Sequence, residues 1–164
     1  MAYLDTLING EYPDYASFAR DFKLEAPKDF NFAFDVLDAV AAAEPDKRAM
    51  VWCNPEGEEH VFTFSDISRE SARLGVKKGD RVMLILKRHY TFWFAIMALH
   101  KLGAVTVPAT HLLKRKDIEY RNNMGGIKMV LCTAEGDVAN EVDAARAASP
   151  MVVTYVISSG AREG

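Results

Sequence analysis

Three basic residues, Lys87, Arg88 and His89, stand directly after the apolar run RVMLIL at 81 to 86. The carboxyl end of such a strand is the edge where α/β proteins place ligands, which makes the cluster a candidate binding feature. A solvated basic turn is the plainer use of the same residues. The four histidines, His60, His89, His100 and His111, include no pair spaced to share one helical face, so their pattern does not point to a metal centre. Cys53 and Cys132 sit in apolar segments without a neighbouring His or Lys to activate them; both are expected as buried thiols in a reducing compartment, which makes the cytoplasm the expected location. Ser158 and Ser159 lack the glycine-flanked elbow of a serine hydrolase. The glycines of GVKKGD and NMGGIK precede strands, whereas a phosphate-cradling loop follows one, and they read as turns. No catalytic residue and no metal ligand is assigned on this basis.

The elements that must position these residues follow from apolar periodicity. Tyr15, Phe18, Ala19 and Phe22 recur at helical spacing between Pro13 and Lys23, with Pro13 suited to a first turn. Asn31 can cap a second helix ending before Pro45, with Phe32, Val36, Ala39, Val40 and Ala43 as its stripe. The runs at 49 to 54 and 60 to 66 flank the turn-rich Pro55–Glu59 and predict a β-hairpin. Four runs follow, at 81 to 86, 105 to 109, 128 to 133 and 152 to 158, separated by helical stretches. Continuous apolar strands alternating with helices require both strand faces to be covered. The fold class is therefore α/β: a mostly parallel sheet with helices on both faces, plus an N-terminal helical segment and a hairpin. The helix at 91 to 102 is apolar nearly all round, which predicts a buried Trp93, and His100 reads as a cation at its end.

The 164 residues suit one domain or one large piece of a longer protein. With 49% hydrophobic and 26% charged residues the chain has a globular composition, so disorder is excluded. A net charge of -3 without a block of five like charges argues against nucleic acid as a partner. The longest apolar run, Phe92 to Leu99, falls far short of the roughly 20 residues of a membrane-spanning helix. The opening MAYLDTLINGEYPDY lacks a basic segment followed by an apolar core, so no secretory signal is expected.

The segment GVKKGDRVMLILKRHYTFWFAIMALHKLGAVTVPAT resembles the N-terminal part of acyl-CoA synthetases, the adenylate-forming (AMP-binding) enzymes. FNFAFDVLDAV, ATHLLKRKDIEYR and EVDAARAASP resemble the medium-chain branch in particular, and the likeness runs over about residues 28 to 160. The resemblance implies that residues 1 to 164 are an N-terminal subdomain of that fold. It implies a two-step reaction, in which a carboxylic acid and ATP give an acyl-adenylate and coenzyme A then takes the acyl group. ATP, Mg2+ and coenzyme A would serve the full-length enzyme, and none is expected bound to this stretch alone. The family's phosphate loop, its adenosine-binding aspartate and its catalytic lysine all lie downstream, so this stretch alone is expected to be inactive. The loop PATHLL matches one that lines the pantetheine tunnel, which makes Thr110, His111 and Leu112, after Ala109, candidate coenzyme-binding residues. Two departures stand out: SDISRESARL is shorter than the family's helix before GVKKGD, and TAEGDVANEV lacks the arginines that bind the coenzyme phosphate in acetate enzymes. The alternative is a free-standing, non-catalytic α/β binding or interaction module; a flavodoxin-like nucleotide binder fits the strand pattern but lacks the phosphate loop.

Overall fold

A computed structural model of the chain describes residues 11–23, 27–70 and 76–158. Two strands, β1 (Arg48–Cys53) and β2 (Glu59–Thr63), pair antiparallel as a separate hairpin. Strands β3 (Arg81–Ile85), β4 (Val105–Pro108), β5 (Ile127–Cys132) and β6 (Thr154–Ile157) form one parallel sheet in the order β4-β3-β5-β6. The helices are α1 (Tyr15–Asp21), α2 (a π-helical Ala33–Asp38 continued by Ala39–Ala43), α3 (Phe64–Glu70), α4 (Thr91–Leu102), α5 (Arg115–Gly125) and α6 (Val138–Ala145). The predicted α/β class, with helices on both sheet faces, an N-terminal helical segment and a hairpin, is the architecture observed. Among the described residues no helix is long and apolar enough to cross a membrane.

Alternation along β3 explains why its whole run is apolar. Met83 and Ile85 join Val130, Cys132, Ile118, Val138 and Val142 in one core, under α5 and α6. Val82, Leu84 and Leu86 join Ala95, Leu99, Met129 and Leu131 in a second core, under α4. The strand is therefore buried on both sides, as a central parallel strand must be. Between Arg81 and Val82 the register with β5 shifts, skipping Lys128; this lets Ile127 and Val130 share a core despite their spacing.

Local chemistry sets the element ends. Gly103 and Gly126, at φ 65° and 58°, close α4 and α5 in the left-handed conformation that lets the chain turn into the next strand. Gly79 forms the expected turn before β3, while Gly75 lies outside the described residues. The second hairpin strand stops at Thr63, short of the predicted Asp66. There Asp66 Oδ2 accepts from the Thr63 N–H at 2.9 Å and Thr63 Oγ1 accepts from the Asp66 N–H at 3.1 Å, the reciprocal bonds that start a helix. Helix α3 occupies the first part of SDISRESARL; residues 71–75 lie outside the described ones.

Four side-chain expectations are corrected. Trp93 is 50% exposed, because α4 turns Ala95, Ala98 and Leu99 to the sheet and leaves Trp93 on another face. There it borders an apolar groove with Phe32, Met50 and Met97. Cys53 is exposed at the last position of β1, and only Cys132 is buried. In α2 the buried residues are Ala33, Val36, Leu37 and Val40, with Phe32, Ala39 and Ala43 exposed, since the wider π turn rotates the predicted stripe. In α1 Asp14 is the cap, Pro13 stands one place before it, and no residue is buried; Phe18 instead stacks on Phe22 at 4.8 Å. Asn31 caps α2 as expected, its Oδ1 accepting from the Ala33 N–H at 3.0 Å.

Candidate functional site

The sheet order places a topological switch point between β3 and β5: from β3 the chain goes to β4 on one side, then crosses to β5 on the other. In open α/β sheets the crevice outside the carboxyl ends of two such strands is where ligands bind. A cavity of about 810 Å³ opens at this place. Lys87, Arg88 and His89 enter it from the end of β3, His111 from the loop after β4, Glu135 from the loop after β5, and residues 52–56 from the hairpin.

The hairpin is held over this edge by an aromatic cluster. Trp52 lies edge-on to Tyr90 with centroids 5.3 Å apart, and its Nε1 donates to the Arg88 carbonyl at 2.8 Å. His60 and Phe62, on the same side of β2, reach Tyr90 at 5.5 and 5.0 Å, and Phe62 continues to Phe94 at 5.1 Å. The alternation of strand side chains supplies this: Trp52 pairs with His60 across the hairpin, so both project from one face.

Across the crevice Lys87 Nζ meets Glu135 Oε2 at 3.3 Å. Lys87 has φ 51°, a left-handed conformation that non-glycine residues seldom adopt. The His89 ring is fixed at the wall: its Nδ1 faces Thr91 Oγ1 at 2.8 Å and the Thr91 N–H at 3.4 Å. Because the amide can only donate, Nδ1 is an acceptor there, and the hydroxyl donates to it too. Burial holds the His89 pKa below its ordinary value; the Glu135 charge partly opposes this and His60 adds to it.

The three candidate coenzyme residues separate in space. His111 is exposed and lines the crevice. Thr110 organises the loop, its Oγ1 accepting from the Leu112 N–H at 3.3 Å. Leu112 is 72% exposed and does not line the crevice. Ala109 packs against the core, and its N–H donates to the Leu84 carbonyl at 2.9 Å. The basic cluster after β3, the weaker reading on sequence grounds, thus shares one crevice with His111. Trp52 and Glu135 escaped the sequence reading; the signal for Glu135 was its position just after an apolar strand, equivalent to that of Lys87. Ser158 ends the described chain and Ser159 lies outside it. As for metals, no group of three or more His, Cys, Asp or Glu able to hold an ion is present among the described residues.

A parallel sheet with an open switch-point crevice defines a class of ligand-binding α/β domain, and comparison with known proteins narrows it. The model of the AMP-binding enzyme family matches residues 37–163, and the chain belongs to that family. Human mitochondrial acyl-coenzyme A synthetase ACSM3 is 36% identical over 168 aligned residues, covering 93% of this chain and 28% of that protein. Rat mitochondrial acyl-coenzyme A synthetase ACSM5 is 33% identical, covering 84% and 26%. The chain thus spans little more than a quarter of these relatives. Among solved structures, a fatty acyl CoA synthetase of Mycobacterium tuberculosis superposes with a TM-score of 0.67 at 25% identity, covering 78% of this chain and 26% of that one. The N-terminal domain of FACL13 from the same organism superposes with a TM-score of 0.66 at 24% identity, covering 79% and 34%, and agrees in fold.

Proposed function

We propose that this chain is the N-terminal subdomain of an acyl-CoA synthetase, which joins a carboxylic acid to ATP as an acyl-adenylate and passes the acyl group to coenzyme A. The observation that carries this reading is the family match over residues 37–163, with acyl-coenzyme A synthetases among the relatives. The two-step scheme needs a thiol path as well as an adenylation site. His111, standing exposed on the crevice wall after β4, supports a role for the 109–112 loop on that path, with Thr110 and Leu112 shaping its backbone. Mg2+ belongs to the proposal as the companion of ATP; the described residues offer it no cluster of ligands. This stretch alone holds no phosphate loop of the expected type, so a polypeptide of these 164 residues should not exchange pyrophosphate with ATP.

A cytoplasmic location remains part of the proposal, supported by two free thiols, one of them exposed; the relatives' names place those proteins in mitochondria. The experiment is a product assay on the whole protein: ATP, coenzyme A and a series of carboxylic acids, with acyl-CoA and AMP measured by chromatography. Acid-dependent formation of both products supports the reading. Coenzyme A left unacylated with every acid would point to the binding-module alternative.

A further inference from the structure

Because the four strands of the sheet are parallel, the residues that begin them, Arg81, Val105, Ile127 and Thr154, lie along one edge, opposite the crevice. Short contacts make this edge one continuous surface. The Gly79 N–H donates to the Gly103 carbonyl at 2.9 Å, and the Val105 N–H to the Asp80 carbonyl at 2.8 Å. Arg81 Nη1 donates to the Gly125 carbonyl at 2.9 Å, and a Cβ on Gly126 would stand 4.0 Å from Met151 Cε. The Val153 N–H donates to the Lys128 carbonyl at 2.9 Å.

Charge is unevenly placed on this surface. The chain as a whole has a net charge of -3, yet Lys77, Lys78, Arg81 and Lys128 all lie here. None of the four has an ion-pair partner among the described residues. Asp80 is the one carboxylate among the residues that these contacts join, and its Oδ2 accepts from the Lys77 N–H at 2.9 Å. The stem of Lys78 runs over Gly103, where an added Cβ would meet its Cγ at 3.1 Å, while the residue as a whole stays exposed.

Exposed apolar side chains stand among the cations: Val153 at 77%, Met124, just before Gly125, at 71%, Val105 at 45% and Met151 at 42%. Lysine, which supplies three of the four cations, is depleted at protein–protein interfaces but meets lipid phosphate as a point charge on a flexible stem. Val and Met side chains are long enough to enter the boundary between headgroups and acyl chains, and cations beside them raise the attraction to anionic lipid.

We propose that the amino-terminal edge of the parallel sheet docks on an anionic lipid surface, with Lys77, Lys78, Arg81 and Lys128 against headgroup phosphates and Met124, Met151 and Val153 at the acyl boundary.

Cosedimentation of the whole protein with vesicles tests this, using phosphatidylcholine alone and phosphatidylcholine mixed with phosphatidylserine at about seven to three. The protein should pellet with the mixed vesicles and hardly with the neutral ones, and binding should fall steeply as salt rises from about 0.1 M to about 1 M. Lys77→Gln and Lys78→Gln should each weaken partitioning roughly fivefold, whereas Lys116→Gln, the same loss of charge near the start of α5, should have little effect. Val153→Asp should abolish binding without moving the melting midpoint of the whole protein, because the side chain it replaces is exposed. Equal binding to both vesicle types, no binding to either, or a loss in Lys116→Gln that matches those in Lys77→Gln and Lys78→Gln, overturns the proposal. A lowered melting midpoint for Val153→Asp would mean that the remaining polypeptide covers this edge, and overturns it as well. Lysine-dependent binding to poly-glutamate with none to vesicles would overturn the lipid assignment and give the surface to an acidic protein.

Discussion

Lys87 and Glu135 stand 48 positions apart in sequence and 3.3 Å apart in space, joining the loops that follow β3 and β5. Both side chains are about half exposed, so the pair adds less than about 1 kcal/mol to folding. Glu135→Gln should therefore shift the melting midpoint by no more than about 3 °C, measured by circular dichroism. A larger fall would make the pair a structural clamp and not a displaceable one.

Trp52 is the residue that fastens the hairpin to the parallel sheet. Trp52→Phe keeps an aromatic ring against Tyr90 but loses the bond to the Arg88 carbonyl, a cost of about 1 kcal/mol. Trp52→Ala loses the ring as well, and should cost about 3 kcal/mol, at the low end of the range for large aromatics because Trp52 is only partly buried. Urea denaturation of the two variants gives the order; equal losses would mean that the ring contacts contribute nothing.

Asn122 is wholly buried on α5, where its Nδ2 donates to Ser149 Oγ at 3.0 Å and that hydroxyl donates to the Ala145 carbonyl at 2.8 Å. Its Oδ1 has no hydrogen-bond partner. Ser149→Ala would strand the Asn122 amide as well and should cost about 1 to 3 kcal/mol. Asn122→Leu in the Ser149→Ala background removes the stranded group and should restore part of that loss, a coupling that a double-mutant cycle in urea reads directly.

His89 makes the fold sensitive to acid. Its folded pKa lies below the ordinary 6.5, chiefly through burial, so the unfolded chain binds the proton more readily. The stability tied to neutral His89 is in place above the ordinary value and is lost as pH falls from there through the depressed one. His89→Gln should shrink the drop in melting midpoint between about pH 7.5 and about pH 5.5. An unchanged drop would assign the acid sensitivity to other groups.

The parallel sheet was legible because β3 after Arg81 and β5 after Lys128 are apolar at every position, a pattern that two-sided burial explains. The strand order was not legible from those runs. Whether Lys87 faces Glu135 depends on β5 crossing to the far side of β3, a matter of tertiary packing that leaves no mark on either loop. Trp93 and Cys53 are exposed for one shared reason: apolar neighbours in sequence are not apolar surroundings in space. On α4 the sheet takes only one face, and on β1 a lone hairpin leaves alternate positions to solvent. The π turn of α2 rotated its stripe by a backbone device that side-chain periodicity does not encode. Of the three coenzyme candidates, His111 reaches the crevice, whereas Leu112 points elsewhere.

The role proposed for the 109–112 loop on the thiol path is tested most directly by placing bulk on the crevice wall. Ala109 is unsuited to this, since its side chain packs on the core and a large residue there would disturb the sheet. His111 is exposed at the crevice, so His111→Trp can narrow it without displacing buried side chains. The measurement is the ratio of the two half-reactions in the whole protein: carboxylate-dependent pyrophosphate exchange for adenylation, and acyl-CoA formation from preformed adenylate for transfer. Transfer should fall at least about tenfold more than exchange, with the KM for coenzyme A rising. Parallel loss of both half-reactions, or no change in either, would contradict a crevice that serves the thiol step.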